Sequence, residues 1–251
     1  MAGKLKYIVL FLIYKNLQLK YKHTLLGFLW SLLHPFFYLL IFLAIFSTVF
    51  QSIPNYPLYV ISGLVFWVYF SEGVNRLSQV FISNTHMIKS LGIPKITYAI
   101  AELGSELVSF LLGLIPFMIL MGFMGLKLSF NLLYLIPVIL LFSLFIFSVG
   151  VILGSLNVFF RDVGILWLTL NPAIFYLSPI AFSFKFVPER FKYLIIFNPL
   201  YHFLIIIRDV LYEGLPPSLH YFGICLIITA VTSILALVIY RKTRSSFISN
   251  I

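Results

Sequence analysis

Long stretches of apolar residues without a single charge run through this sequence of 251 residues, and short polar segments separate them. Uncharged runs cover 24–50, 107–126, 132–160 and 219–240. Each is at least as long as the ~20 helical residues that cross the hydrocarbon core of a bilayer. The pattern therefore predicts an all-α protein that is embedded in a membrane.

The full pattern predicts six transmembrane helices, at 24–50, 58–82, 96–126, 132–160, 163–184 and 219–240. Residues 1–23 hold five lysines around an apolar centre that is too short to span, which favours an interfacial helix. Between the fifth and sixth spans, the apolar pieces 193–197 and 200–207 are also too short to cross. We therefore expect re-entrant or short helices within 185–218.

Composition and charge support a membrane protein and suggest its orientation. Hydrophobic residues make up 62% of the chain and charged residues 10%, whereas soluble proteins have about half and a quarter. The net charge of +10 comes from 17 Lys and Arg, almost all at the ends of apolar runs, which argues against nucleic acid as a partner. Six crossings put both termini, the polar segment 83–95 and the turn at Arg161 on the more basic side, which the positive-inside rule assigns to the cytoplasm.

The sequence lacks several signatures of chemistry. It has no G-x-x-x-x-G-K-[ST] loop, so any ATP that drives the protein must bind another polypeptide. The five histidines do not show the i, i+4 spacing of a metal pair, and we expect no metal site. The single cysteine, Cys225, excludes a disulfide within the chain.

Two pairs of polar residues lie in or near the predicted spans. Glu72 and Arg76 are four residues apart and can pair on one helical face. Such pairing lowers the free-energy cost of placing charged side chains inside the membrane. Glu102 and Glu106 have the same spacing, which suits a proton relay or a paired-carboxylate site. Alternatively, these two carboxylates form ion pairs with Lys95 or with the N-terminal lysines at the cytoplasmic interface.

Aromatic residues recur every fourth position along the first span, at Tyr38, Phe42, Phe46 and Phe50. Aromatic rings supply contact area with few directional bonds, so such a row could stack on sugar faces and guide a sliding glycan. The same row could also face lipid or pack inside the protein.

Several segments of the chain resemble one family. The segment YKHTLLGFLWSLLHPFFYLLIF at 21–42 resembles the beginning of the first span in ABC-transporter permeases that export polysaccharides. NVFFRDVG at 157–164, LSPIAF at 177–182 and FNPLYHF at 197–203 follow in the order and spacing of that family. The resemblance covers nearly the whole chain and is strongest toward the O-antigen (Wzm-type), capsule and teichoic-acid permeases.

The resemblance implies a homodimer of six-span subunits in the bacterial inner membrane, with two nucleotide-binding ATPase subunits beneath it. ATP and Mg would bind those partners, so this chain would hold no cofactor and would not be an enzyme. The pair of permeases would form a channel that exports a lipid-linked polysaccharide from the cytoplasm. Closure of the ATPase pair would push the segment 83–95 and separate the first and fifth spans across the dimer.

The same resemblance suggests roles for individual residues. The expected channel residues are aromatic side chains of the first and fifth spans: Tyr38, Phe42, Phe46, Phe50, Phe175 and Tyr176. The interfacial helix and the segment 83–95 would contact the ATPase, the latter through His86, Lys89 and Lys95. The segment 185–218 would form an outward gate that includes Asn198, Pro199, Arg208 and Asp209.

Three other functions stay open at this point. A permease of the same superfamily could export a drug or a simple lipid. A membrane-embedded transferase could act on a polyprenyl substrate, with Glu102 and Glu106 or Arg208 and Asp209 as its polar site. A proton-coupled carrier would need Glu102 or Glu106 buried at mid-depth in the membrane.

Overall fold

The computed structural model describes residues 2–22, 27–46, 50, 52–125, 129–244 and 247. Within these ranges all regular structure is helical and there is no strand, so the predicted all-α class is confirmed. The α-helices are α1 (Ala2–Tyr21), α2 (Trp30–Phe46), α3 (Tyr56–Ser83), α4 (Thr85–Leu91), α5 (Ile96–Phe123), α6 (Leu135–Asn157), α7 (Asp162–Tyr176), α8 (Glu189–Ile196), α9 (Pro199–Leu211) and α10 (Leu219–Thr243). Short 3-10 turns lie at Gly27–Leu29, Phe130–Tyr134 and Phe184–Phe186.

Four helices of the described chain are long and apolar enough to cross a membrane: α3, α5, α10, and α6 together with the 3-10 turn before it. The pair α8 and α9 is bent by 85° and would make a fifth if it forms one span. Helix α2 has 17 residues and α7 has 15. At a rise of 1.5 Å per residue, both helices are shorter than the hydrocarbon core, which is ~30 Å thick. Six crossings, the re-entrant segment and cytoplasmic termini therefore stay predictions.

The predicted boundaries agree best for the second span, 58–82, where α3 begins two residues earlier and ends one residue later. The first and fourth predicted spans end later than their helices do. The first reaches 50 although α2 ends at Phe46, and residues 47–49 lie outside the described ranges. The fourth reaches 160 although α6 ends at Asn157.

The fifth span differs most from its prediction. A helix over 163–184 was expected to be interrupted at Pro172 and Pro179, but Pro172 lies inside α7, which ends at Tyr176. Pro179 has no N–H and disfavours a helical conformation at Ser178, so the helix stops before both. Pro172 therefore does not interrupt the helix as expected, whereas the expected interruption at Pro179 lies in an irregular turn that follows α7.

Helix α3 lies at the centre of the fold and packs against α2, α5, α6, α7 and α9. Its core-facing residues are almost fully buried: Val60, Ile61, Leu64, Phe66, Val74, Leu77 and Phe81. Helix α10 packs outside α6 and α9, and α1 packs along α5. This arrangement covers one side of α3 and leaves the other side open.

Helix α6 has two glycines at G-x-x-x-G spacing, Gly150 and Gly154, where it approaches α3 closely. A Cβ added at Gly150 would lie 2.3 Å from the Cβ of Leu77, and one at Gly154 would lie 2.5 Å from the Leu77 carbonyl oxygen. Real Cβ atoms do not come that close, so only glycine lets α6 meet α3 here.

We expect Gly154→Ala to destabilise the protein by about 1 to 3 kcal/mol, the usual cost of overpacking. The added methyl group meets backbone, which cannot rotate away as a side chain can. Thermal unfolding of the purified chain in detergent measures the effect. The matched control is Gly223→Ala in α10, where nothing lies within 4 Å and no loss is expected. Equal unfolding temperatures for both variants would contradict this packing.

Candidate functional site

One side of α3 is left open by the described chain, and most of its side chains are polar. We call it the polar face of α3, and it comprises Trp67, Val68, Ser71, Glu72, Asn75, Arg76, Gln79 and Ser83, all half-buried or exposed. These positions recur every three or four residues and therefore share one side of the helix. Polar groups at membrane depth are costly against lipid, so this side faces water or other protein. Sequence reasoning noticed Glu72 and Arg76 alone, although the spacing of the other polar residues was visible.

Three cavities open along the polar face of α3. Their volumes are about 300, 160 and 490 Å³. Glu72 lines all three, and among the described residues it forms no ion pair. A carboxylate without a cationic partner thus lies where the cavities meet. In the same part of the chain, no group of three or more His, Cys, Asp or Glu side chains could hold a metal ion.

The cavity of about 160 Å³ lies between α2, α3 and α7, and we call it the aromatic cavity. Its lining combines rings with hydrogen-bonding groups: Tyr38, Trp67, Val68, Ser71, Glu72, Asn171, Pro172, Phe175 and Tyr176. The ring centroids of Trp67 and Phe175 lie 5.2 Å apart, and those of Tyr38 and Phe175 lie 6.2 Å apart. Rings beside hydroxyl and amide groups suit a ligand that has both apolar faces and hydroxyls, as sugars do.

The row of aromatic residues on α2 packs mainly against the protein itself. Phe42 and Phe46 stack at 5.7 Å, and Phe46 and Phe50 at 5.9 Å. Phe50 also contacts Phe186 at 5.4 Å, whereas Tyr38 is 41% exposed. Of the four residues in the row, Tyr38 is the one that lines the aromatic cavity. A channel role for the row remains a prediction.

Hydrogen bonds hold α7 to the polar face of α3. The amide Nδ2 of Asn171 donates to the Ser71 hydroxyl at 2.6 Å, and the indole N–H of Trp167 donates to Oδ1 of Asn75. Ring contacts of Phe175 with Trp67 and of Trp167 with Phe70 add to them, but Gly164 and Trp167 are the only buried residues among the described residues of α7. Side-chain hydrogen bonds between membrane helices contribute about 0.6 kcal/mol each. Helix α7 is therefore attached less firmly than α5 or α6.

Next to the cavities lies a group of four paired charges, which we call the charge cluster: Lys20, Arg76, Glu102 and Glu106. Lys20 Nζ lies 2.8 Å from Glu106 Oε2, and Arg76 Nε lies 2.9 Å from Glu106 Oε1. Asn16 donates to Glu102 Oε2 at 2.8 Å. Because Glu106 is only 3% exposed, the cluster joins α1, α3 and α5 from the inside.

The charge cluster decides between the alternatives drawn from the sequence. The predicted pair of Glu72 and Arg76 is wrong, since Arg76 faces the two carboxylates of α5 instead. One of the N-terminal lysines, Lys20, pairs with Glu106, while Lys95 lies elsewhere. Carboxylates that are already paired with cations favour a structural role over a proton relay or a transferase site.

An irregular turn at 177–182 follows α7, and every carbonyl in it has a donor. The carbonyl of Ser178 accepts from the backbone N–H of Ile180 at 2.7 Å. The other five carbonyls accept hydrogen bonds from side chains of α3, of α9 and of the residue before α9. Asn198 donates to Leu177, Arg208 to Pro179 and Ile180, Tyr56 to Ala181, and Tyr59 to Phe182. Irregular backbone at membrane depth is tolerated only where protein or water satisfies it. These side chains therefore make the turn possible.

Arg208 makes the strongest of these contacts. Its Nη1 and Nη2 each donate at 2.7 Å, to the carbonyls of Pro179 and Ile180. The guanidinium carbon lies 3.6 Å from the centre of the Tyr59 ring, and the residue is 9% exposed. Among the ion pairs of the described residues, none involves Arg208. The buried charge is thus stabilised by carbonyl dipoles and one aromatic face.

The other predicted gate residues hold separate segments. The Asn198 side chain caps α9 by accepting from the N–H of Leu200 at 3.0 Å, and Pro199 is the first residue of α9. Asp209 accepts from the N–H of Ser218 at 2.9 Å, where α10 begins. Arg208 and Asp209 therefore do not form one polar site, which argues against a transferase centre there. A gate remains a prediction.

The predicted connector 83–95 contains α4, which ends at Leu91 before Gly92. Gly92 has a φ of 61°, a left-handed conformation that glycine adopts readily and that ends the helix. His86 and Lys89 are exposed, whereas Lys95 is half-buried and donates to the Arg244 carbonyl. Burial, and then the charge of Arg244, lower the pKa of Lys95. Lys95 is therefore engaged within the chain, and contact of these three residues with an ATPase remains a prediction.

Comparison with known proteins places most of the chain in one group. The family model described as ABC-2 type transporter matches residues 7–212. An O-antigen export system permease protein RfbA from Klebsiella pneumoniae is 30% identical over 93% of this chain and 90% of its own length. The RfbA protein of Myxococcus xanthus is 24% identical over 97% of this chain and 95% of its own. The polysialic acid transport protein KpsM from Escherichia coli is 24% identical over 94% of this chain and 93% of its own length.

Proposed function

Because the chain belongs to the ABC-2 type transporter family, we propose that it is the channel-forming subunit of an ATP-driven polysaccharide exporter. Its substrate is a lipid-linked, O-antigen-like polysaccharide, which moves from the cytoplasm to the outer side of the bacterial inner membrane. The names of the similar permeases support this class of substrate.

The polar face of α3, with the aromatic cavity beside it, is the observation that carries the proposal. A polysaccharide needs hydrogen-bonding partners for its hydroxyls and aromatic faces for its rings, and this surface offers both. A drug or a simple lipid would instead favour an apolar path. Glu72 lines all three cavities and forms no ion pair within the described residues, so its carboxylate would keep water in the path.

A second copy of the chain completes the channel in this proposal. The polar face of α3 is open on one side, and the helices that flank it expose large apolar residues: Phe37 and Ile41 on α2, and Ile165 and Leu168 on α7. A twofold dimer would close the path between two polar faces and bury these apolar edges. Each subunit would cross the membrane six times, with both termini in the cytoplasm.

Two nucleotide-binding subunits supply the energy, with ATP and Mg bound to them, since the chain has no phosphate-binding loop of its own. They press on α1 and on the connector 83–95, where His86 and Lys89 are exposed. The push separates α2 and α7 across the dimer, and the small number of buried residues on α7 keeps the cost of that motion low. The segment 185–218 then acts as the outward gate. Only contacts that differ between the two states can drive such a change.

The proposal is tested by deleting the gene in its own cell and restoring it with a tagged copy. We expect lipid-linked polysaccharide to accumulate on the cytoplasmic side in the deletion and to be exported again after restoration. The tagged chain should co-purify with an ATP-hydrolysing partner. Normal glycan export without the chain would contradict the proposal, and so would turnover of a polyprenyl substrate by the purified chain alone.

A further inference from the structure

The segment after α10 contains a buried aromatic residue that neither the family resemblance nor the channel explains. Residues 241–251, RKTRSSFISNI, are mostly polar, and Phe247 is their only aromatic residue. Its side chain is 0% exposed. A fully buried ring in a charged terminal segment needs a structural or functional reason.

Phe247 fills a site that several elements build together, which we call the Phe247 socket. Its ring centroid lies 4.9 Å from that of Phe81 and 6.1 Å from those of Phe159 and Tyr240. The ammonium of Lys95 lies 5.2 Å above the ring. The socket thus joins the ends of α3 and α10, the link between α6 and α7, and the end of the connector 83–95.

Hydrogen bonds tie the connector to the same place. Lys95 Nζ donates to the carbonyl of Arg244, three residues before Phe247. The N–H of Ile96, which begins α5 and has no partner within that helix, donates to the Tyr240 hydroxyl at 3.1 Å. The far end of the connector is therefore tied to the segment after α10 as well as to the start of α5.

We propose that Phe247 is a positioning residue for the coupling of ATP hydrolysis to export. By filling the socket, its ring makes the connector 83–95 and the link between α6 and α7 move as one body. A push on the connector then reaches α3 and α7, two of the three helices that line the aromatic cavity. Without the ring, a push displaces the connector alone, and α3 and α7 do not move with it. This inference rests on the proposed export function for its transport measurement, while a second measurement is independent of it.

The test uses the complex of the full chain with its ATPase partner, with Phe247→Ala, Phe247→Leu and the control Phe123→Ala. Phe123 is 88% exposed at the end of α5 and lies outside the socket. Two quantities are measured: the polysaccharide exported per ATP hydrolysed, and the rate of amide hydrogen exchange in 84–95. For Phe247→Ala we expect export per ATP to fall about tenfold, within the range of about 5 to 150 that coupling between sites spans. Exchange in 84–95 should accelerate, while exchange in α8 and α9 stays unchanged.

Leucine refills most of the socket, so Phe247→Leu should recover most of the coupling and Phe123→Ala should lose none. Unchanged exchange in 84–95 for Phe247→Ala would overturn the inference. So would export and hydrolysis that fall in proportion, because a merely structural role lowers both. If the unaltered complex moved no polysaccharide, the proposed function would fail, and the exchange rates alone would decide the role of Phe247.

Discussion

Glu106→Gln is expected to lower the free energy of unfolding by about 3 to 5 kcal/mol, as is usual when one partner of a buried ion pair is removed. Glu106 is 3% exposed and lies 2.8 Å from Lys20 and 2.9 Å from Arg76. Glutamine keeps the shape but removes the charge, so two cations lose their closest counter-ion. Thermal unfolding in detergent, followed by retention of folded protein on size exclusion, measures the loss.

The matched control is Glu189→Gln on α8. Glu189 also pairs with a lysine, Lys192, but it is 87% exposed. Exposed ion pairs contribute only about 0 to 1 kcal/mol, so this variant should unfold like the unaltered chain. If Glu106→Gln were equally harmless, the charge cluster could not be what holds α1 to α3 and α5.

Arg208→Leu is expected to be similarly destabilising, by about 2 to 6 kcal/mol. The substitution leaves the carbonyls of Pro179 and Ile180 without donors, and a buried unsatisfied group costs about 1 to 3 kcal/mol. It also removes the cation from the Tyr59 ring. The turn at 177–182 should open, which limited proteolysis detects as new cleavage in that segment.

The neighbouring substitution Asp209→Asn serves as the control for Arg208. An asparagine oxygen can still accept from the N–H of Ser218, so the unfolding temperature should stay close to that of the unaltered chain. Resistance of Arg208→Leu to cleavage at 177–182 would show that other donors serve those carbonyls. The account of the irregular turn would then be wrong.

The helices could be predicted well from the sequence where the pattern of apolar and polar residues within one segment determines the structure. Helix α3 matches its prediction within two residues because its apolar and polar positions alternate with a clear helical period. The region 177–184 was included in the fifth predicted span, with an interruption at Pro179, because it is uncharged. Its irregular turn depends on Arg208, Tyr56 and Tyr59, which lie far away in sequence. No local pattern contains that information.

In the candidate site, too, the local residue pattern was predictable and the contacts between distant segments were not. The polar positions on α3 and their spacing were visible in the sequence, and Glu72 and Arg76 were identified from it. The choice of partner was not visible, because Arg76 faces α5 across a tertiary contact rather than along its own helix. Phe247 was missed for a similar reason, since nothing in a polar terminal segment indicates that its one ring is buried. Contacts between distant segments decide both cases.

The central claim is that the polar face of α3 is the wall along which the polysaccharide moves. Photo-cross-linking tests it most directly, with a photoreactive amino acid in place of Glu72 and, as the control, in place of Ile234. Ile234 is 61% exposed on α10, away from the cavities. In the complex with its ATPase and substrate, the account predicts that residue 72 cross-links to polysaccharide and residue 234 does not. Cross-links to glycan that are equal at both positions, or absent at residue 72, would contradict it.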